Sequence, residues 1–149
     1  YILDGSNVVQ ALLIIALAPA VCEEALFRGY FLAAAKKRLR PAAAILISGA
    51  VFGIYHLSVV KFFTTGLLGI LFCYVVYRTG SIFLTALMHF LNNAVAVVVM
   101  FYPETMEQML PFLFGESYSA ASMGVIALAG AICLAGGLWL LNLKPLRGK

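Results

Sequence analysis

Charge is scarce in this sequence. Only 11% of its residues are Asp, Glu, Lys or Arg, whereas 64% are hydrophobic and the mean hydropathy is +1.03. A soluble domain is roughly a quarter charged, and no soluble core of this size needs so much apolar surface, so the excess must face lipid. Aspartate is nearly missing. Asp4 is the only one, which excludes intramembrane proteases that work with an aspartate pair. No HExxH is present, which excludes the site-2 zinc type. Ser48-Gly49 is preceded by Leu46-Ile47, so the GxSG of the rhomboid serine type is also lacking. Cys22, Cys73 and Cys133 stand isolated, with no CxxC and an odd count, and read as small buried hydrophobes. There is no internal repeat, so a transporter built from inverted halves is not indicated.

What charge there is sits in telling places. The net charge of +4 and pI near 9.1 would suit nucleic acid, but no basic stripe with interleaved aromatics appears. The basic residues sit instead at the ends of apolar stretches, where membrane proteins keep them. Nucleic acid is therefore not an expected partner, and the lipid bilayer is.

A membrane-spanning helix needs roughly 20 apolar residues. Five stretches qualify, at about 7–35, 41–59, 61–79, 81–101 and 119–142. Lys36, Lys37, Arg38 and Arg40 before Pro41 end the first, Lys61 marks the turn after the second, and Arg78-Thr79-Gly80 the turn after the third. The stretch from Tyr102 to Tyr118 carries Pro103, Pro111 and Gly115, and its Met106, Met109, Leu110, Leu113 and Phe114 suit an interfacial helix. The expected fold is all-α, a polytopic transmembrane bundle of about five helices.

Orientation follows from the basic residues. With the 36–40 turn in the cytoplasm, Lys36, Lys37, Arg38, Arg40, Arg78, Lys144, Arg147 and Lys149 fall inside and only Lys61 falls outside, a strong positive-inside asymmetry. The carboxyl end is then cytoplasmic. The chain begins at Tyr1 with no initiator Met. It reads as one domain over 1–149, expected to belong to a longer chain. Gly49 and Gly53 form a GxxxG pair, and Gly66, Gly69, Gly130, Gly136 and Gly137 give further close-approach points between helices.

Removing the helix-end charges leaves a short polar set inside the spans: Glu23, Glu24 and Arg28 in the first, His56 near the end of the second, and His89, Asn92 and Asn93 in the fourth. A charged side chain at the bilayer centre costs about 2.5–3.5 kcal/mol on insertion scales, so such residues face one another and are functional by default. Counting 1.5 Å per residue from the cytoplasmic end puts Glu24 roughly 18 Å deep, His56 roughly 22 Å, Asn93 roughly 18 Å and His89 roughly 12 Å. Convergence of the three helices at one layer is the expectation.

Glu24 and Arg28 are i,i+4, as are Phe52 and His56, and His89 and Asn93. Glu23 points about 100° away from Glu24. One carboxylate can therefore be neutralised by Arg28 while the other faces a cavity. Pro19 lies four residues after Ile15 and frees its carbonyl, so a bend just before the carboxylates is expected. These residues allow peptide hydrolysis by an activated water. A buried glutamate without a cationic partner can act as general base near neutrality. A histidine can share the water or protonate the leaving amine, and a second histidine with an asparagine can donate to an oxyanion. Glu23, His56, and His89 with Asn93 are the candidates for these roles.

At these residues the sequence resembles the CPBP family, the CAAX proteases and bacteriocin-processing (Abi) enzymes. The family motifs EExxxR, FxxxH and HxxxN read here as Glu23-Glu24-Ala25-Leu26-Phe27-Arg28, Phe52-Gly53-Ile54-Tyr55-His56 and His89-Phe90-Leu91-Asn92-Asn93. All three are intact and in order, and the resemblance covers about residues 8–100. It implies an intramembrane endopeptidase acting on a membrane-associated, prenylated or peptide substrate. Glu23 would activate the water, His56 would be its partner, His89 and Asn93 would form the oxyanion side, and Glu24, Arg28 and Phe52 would support the site. The family is often labelled metalloprotease. Glu23, His56 and His89 would then hold zinc or another divalent ion, but they come from three helices, and the metal-free glutamate mechanism is the favoured expectation. Tyr77-Arg78-Thr79-Gly80-Ser81-Ile82 is also similar to bacterial members, some of them fused behind an ABC-transporter permease. That likeness raises the expectation of a bacterial inner-membrane protein with a permease partner domain. The competing reading is a non-catalytic membrane component, proton- or ion-coupled, or a scaffold.

Overall fold

The computed structural model describes residues 7–109, 111, 135–137 and 139. Among the described residues helices are the only regular structure. The first, α1, runs Val8–Ala35. Asn7 caps it reciprocally: its Oδ1 accepts from the Gln10 amide at 3.0 Å, and the Gln10 side chain accepts from the Asn7 amide at 3.1 Å. Within α1, two stretches of wider π-type bonding, Leu12–Leu17 and Ala25–Leu32, flank an ordinary α segment at Ala18–Glu24. The first ends two residues before Pro19, whose nitrogen cannot donate.

Arg40 is extended ahead of Pro41 (φ −62°, ψ 150°), as the residue before a proline prefers, and Pro41 opens α2, Pro41–Tyr55. Helix α3 covers Val59–Thr79 and closes on Gly80 at φ +70°, whose N–H donates to the Val76 carbonyl. The Ser81 side chain then caps α4, Ile82–Phe101, and a short α5 follows at Pro103–Met109. Helices α1, α3 and α4 are long and apolar enough to cross a membrane, and α2 is a shorter apolar helix. With their large side chains turned outward, Leu13, Ile14, Val21, Leu67, Phe83 and Val95 among them, these helices make an all-α membrane bundle.

One boundary differs from the sequence pattern. The second stretch was expected over 41–59, but α2 stops at Tyr55 because Leu57 takes a left-handed conformation (φ +49°) and Ser58 begins the next cap. At 15 residues, α2 is roughly 22 Å long, short of a full bilayer core. The stretch at 119–142 lies outside the described residues apart from 135–137 and 139, so the described part contains four of the five expected apolar helices. Part of 102–118 is helical, as α5.

Helix α2 lies on α3 with backbones in direct contact. A Cβ built at Gly49 would come within 2.6 Å of the Ile70 amide nitrogen and 2.8 Å of its Cα, and one at Gly69 within 3.0 Å of the Gly49 carbonyl. Nothing larger than glycine fits there, which is how helices approach in lipid, where packing rather than the hydrophobic effect holds them together. Leu32 of α1, Ala44 of α2, and Cys73 and Val76 of α3 close one end as an apolar cluster, with Ile82 of α4 against it. Helix α4 packs along α1.

Gly49→Ala should therefore destabilise the detergent-solubilised protein by about 1–3 kcal/mol, as overpacking does. Gly29→Ala meets only Ile82 Cδ1 at 3.6 Å and the Glu24 carbonyl at 4.0 Å, and should stay within about 0.5 kcal/mol of the parent. Equal unfolding curves for the two variants would show that the α2–α3 contact is not the tight one.

Candidate active site

The α segment of α1 ends on two adjacent carboxylates with different surroundings. Glu24 is fully buried. Its Oε1 accepts from Arg28 Nη1 at 2.7 Å, one helical turn on, and lies 3.1 Å from His89 Nδ1. Glu23 points to the side, with 19% of its side chain exposed, and its Oε2 faces His89 Nε2 at 3.8 Å. The His89 ring thus stands between the two glutamates, reached from α4.

Arg28 ties this centre to the other helices. Its Nη2 donates to the Gly69 carbonyl of α3 at 3.2 Å. Its Cζ lies 4.5 Å from the centre of the Phe52 ring of α2 and 5.2 Å from that of Phe72 of α3, both within cation–π range. The two rings also flank His89, Phe52 at 5.9 Å edge-on and Phe72 at 5.8 Å with a 44° tilt. Glu23, Glu24, Arg28, His89 and Phe52 therefore form one cluster drawn from three helices.

His56 stands next to this cluster. It is the C-cap of α2, directly after Tyr55; its Nδ1 is 2.9 Å from the Phe52 carbonyl, and its ring lies 4.9 Å from the Phe52 ring. A carbonyl only accepts, so His56 Nδ1 carries the hydrogen and Nε2 of the neutral ring is an acceptor. Asn93 is engaged elsewhere: its Nδ2 donates to the Ile15 carbonyl at 3.4 Å, and its Oδ1 accepts from Asn92 at 3.2 Å. The Ile15 carbonyl is the one that Pro19 cannot satisfy.

The proton arrangement around His89 is equally constrained. A Glu24 carboxylate paired with Arg28 accepts from His89 Nδ1, so Nε2 of the neutral ring is an acceptor and faces a second acceptor, Glu23 Oε2. At 3.8 Å the two do not hydrogen-bond directly. Glu23 Oε2, Glu24 Oε2 and Arg28 Nε are buried without a hydrogen-bond partner among the described residues. Buried polar atoms of this kind take water or a substrate group as partner.

As a ligand set, Glu23, His56 and His89 are not assembled. Among the described residues no group of three or more His, Cys, Asp or Glu side chains stands in a geometry that could hold a metal ion. His89 Nδ1 is occupied by Glu24 and His56 Nδ1 by a carbonyl, which leaves Nε2 as the free nitrogen of each ring.

The Gly69 carbonyl and the Phe72 ring were not anticipated from the sequence. They lie three residues apart, on one face of α3, and the only hint was the use of Gly69 as a close-approach point. The Ile15 carbonyl was anticipated as free, but not its acceptance of Asn93.

The family description "Type II CAAX prenyl endopeptidase Rce1-like" matches residues 5–95, well over half of the chain and all of the polar cluster. No curated protein and no solved structure matches.

Removing Arg28 alone should leave Glu24 buried without its cation, at a cost of about 3–5 kcal/mol. Arg28→Met combined with Glu24→Gln should recover most of that loss. Chemical unfolding of the two single variants and the double variant in detergent measures the coupling, and strictly additive losses would contradict a buried ion pair.

Proposed function

Because the chain belongs to the Rce1-like type II CAAX prenyl endopeptidase family, we propose that it is an intramembrane endopeptidase that hydrolyses a peptide bond of a membrane-associated, prenylated or peptide substrate through a metal-free, glutamate-activated water. The observation that carries this reading is the pair of facing acceptors, Glu23 Oε2 and His89 Nε2, 3.8 Å apart. A molecule that donates two hydrogens bridges such a pair, and water is the smallest that does.

In this mechanism Glu23 withdraws a proton as the water oxygen bonds to the scissile carbonyl carbon. The C=O π electrons move onto oxygen, giving an oxyanion. Nε2 of His89 becomes a donor to that oxyanion once it has gained a proton through the Glu23–His89 pair. Asn93 would help only after leaving its long bond to the Ile15 carbonyl. When the tetrahedral intermediate collapses, the oxyanion re-forms the C=O bond, the C–N bond breaks, and the amine takes the same water-derived proton, passed back from His89 Nε2 through Glu23, while His56 Nε2 serves as a further acceptor for the water. Glu24, paired with Arg28, orients His89 through Nδ1.

A shallow, largely apolar groove of about 360 Å³ where α2 passes into α3, lined by Gly53, Ile54, Leu57, Ser58, Val59, Phe62 and Phe63, suits the lipid-like portion of such a substrate. We also propose, from the placement of the basic residues, that the carboxyl end is cytoplasmic, and, from the likeness of Tyr77–Ile82 to bacterial members, a bacterial inner membrane with an ABC-transporter permease domain as partner.

The test is cleavage of a farnesylated fluorogenic CAAX peptide by protein reconstituted in liposomes. Glu23→Gln and His56→Ala should each lower kcat/KM by about 10²–10⁴ with unfolding temperature unchanged, and EDTA should leave the parent's rate intact. Full activity in both variants would overturn the assignment, and loss of rate on chelation would overturn its metal-free form.

A further inference from the structure

Helix α3 carries none of the three motifs, yet it supplies two groups to the polar centre. One is the Gly69 carbonyl on Arg28 and the other is the Phe72 ring. Phe72 is 3% exposed, so it is spent on internal contacts rather than on lipid. Among the described residues His89 is anchored by one hydrogen bond, from Nδ1 to Glu24 Oε1 at 3.1 Å. A single hydrogen bond is a pivot: the imidazole can swing about it and carry Nε2 away from Glu23. The rings of Phe52 and Phe72, 5.9 and 5.8 Å from His89, restrict that swing. They also lie against the Arg28 guanidinium, whose position sets that of Glu24 and hence of the pivot.

We propose that Phe72 is a positioning residue of this centre: together with Phe52 it fixes the plane of the His89 imidazole and the place of Arg28, so that Nε2 stays directed at Glu23. It touches no reacting atom. Its kinetic consequence rests on the endopeptidase reading, whereas its effect on the His89 ring does not. Phe52 is the aromatic residue of the FxxxH motif, and Phe72 gives that residue a counterpart on the helix between the second and third motifs.

The experiment compares the parent with Phe72→Leu, Phe72→Met and Phe72→Tyr, reconstituted in liposomes. It measures cleavage of the farnesylated peptide and, separately, the ¹⁵N spectrum of the imidazoles, which are only His56 and His89. The ringless variants should lose about 10- to 100-fold in kcat with KM within about twofold, and Phe72→Tyr should restore kcat to within about threefold, as expected when a small misplacement of a catalytic group is corrected. The His89 resonances should shift or split in the ringless variants while those of His56 hold. Phe72→Met, whose flexible side chain fills irregular space, serves if Phe72→Leu does not fold. Parent-like kcat and an unchanged His89 spectrum in a folded ringless variant would overturn the proposal. So would a loss that Phe72→Tyr does not restore. If the parent itself does not cleave the peptide, the endopeptidase reading fails, and the His89 spectra alone decide whether Phe72 positions the ring.

Discussion

A buried guanidinium organises the described structure. Arg28 is 2% exposed, and it reaches a carboxylate of its own helix, a backbone carbonyl of α3 and aromatic rings of α2 and α3. Through Glu24 it also sets the place of His89 on α4. Taking a carboxylate and a guanidinium out of water costs several kcal/mol per ion, and an apolar pair of the same volume is often as stable or more so. Stability is therefore a weak reason for Glu24 and Arg28 to stand where they do. Their effect on position is stronger: one ion pair with its hydrogen bonds fixes the relation of four helices at a single depth.

That arrangement depends on close packing elsewhere. The stretch of α3 whose Gly69 carbonyl accepts from Arg28 is also the one that meets α2 with glycine facing glycine, leaving room for neither a Gly49 nor a Gly69 side chain. In lipid the outer faces of the helices gain little by association, so dispersion contacts between backbones must hold them. The apolar cluster of Leu32, Ala44, Cys73 and Val76 closes one end, and the polar centre sits where the glycine contact brings α3 within reach of α1.

The sequence was most legible where a one-dimensional signal suffices. Hydropathy marks α1, α3 and α4, Pro41 and Gly80 punctuate them, and the spacing of Glu24 and Arg28 places both on one helical face. Less legible was whatever depends on how helices meet. The shortening of α2 turns on the left-handed Leu57, a conformation that leucine does not advertise. The π-type stretches on either side of Ala18–Glu24 leave no mark in hydropathy. Phe72 looks like any other apolar residue of a span until α1 and α4 are set beside it. Asn93 belongs to an intact motif, yet its hydrogen bond to Ile15 depends on the depth at which α4 runs past Pro19.

The two adjacent glutamates illustrate how neighbours of identical chemistry acquire opposite tasks. One residue along a helix is a turn of about 100°, enough to put Glu24 inside against Arg28 and leave Glu23 partly open. With its charge compensated, Glu24 acts as an acceptor and holds the hydrogen of His89 on Nδ1. That choice of tautomer leaves Nε2 bare, opposite the uncompensated Glu23. The space between them is bordered by two acceptors and is short of protons, so a species that enters it must bring hydrogen with it. On the endopeptidase reading, the proton brought by water is also the one that turns Nε2 of His89 from acceptor into donor as negative charge appears on the substrate oxygen. The buried ion pair then acts on the chemistry at one remove, by deciding which nitrogen of His89 is free to receive that proton.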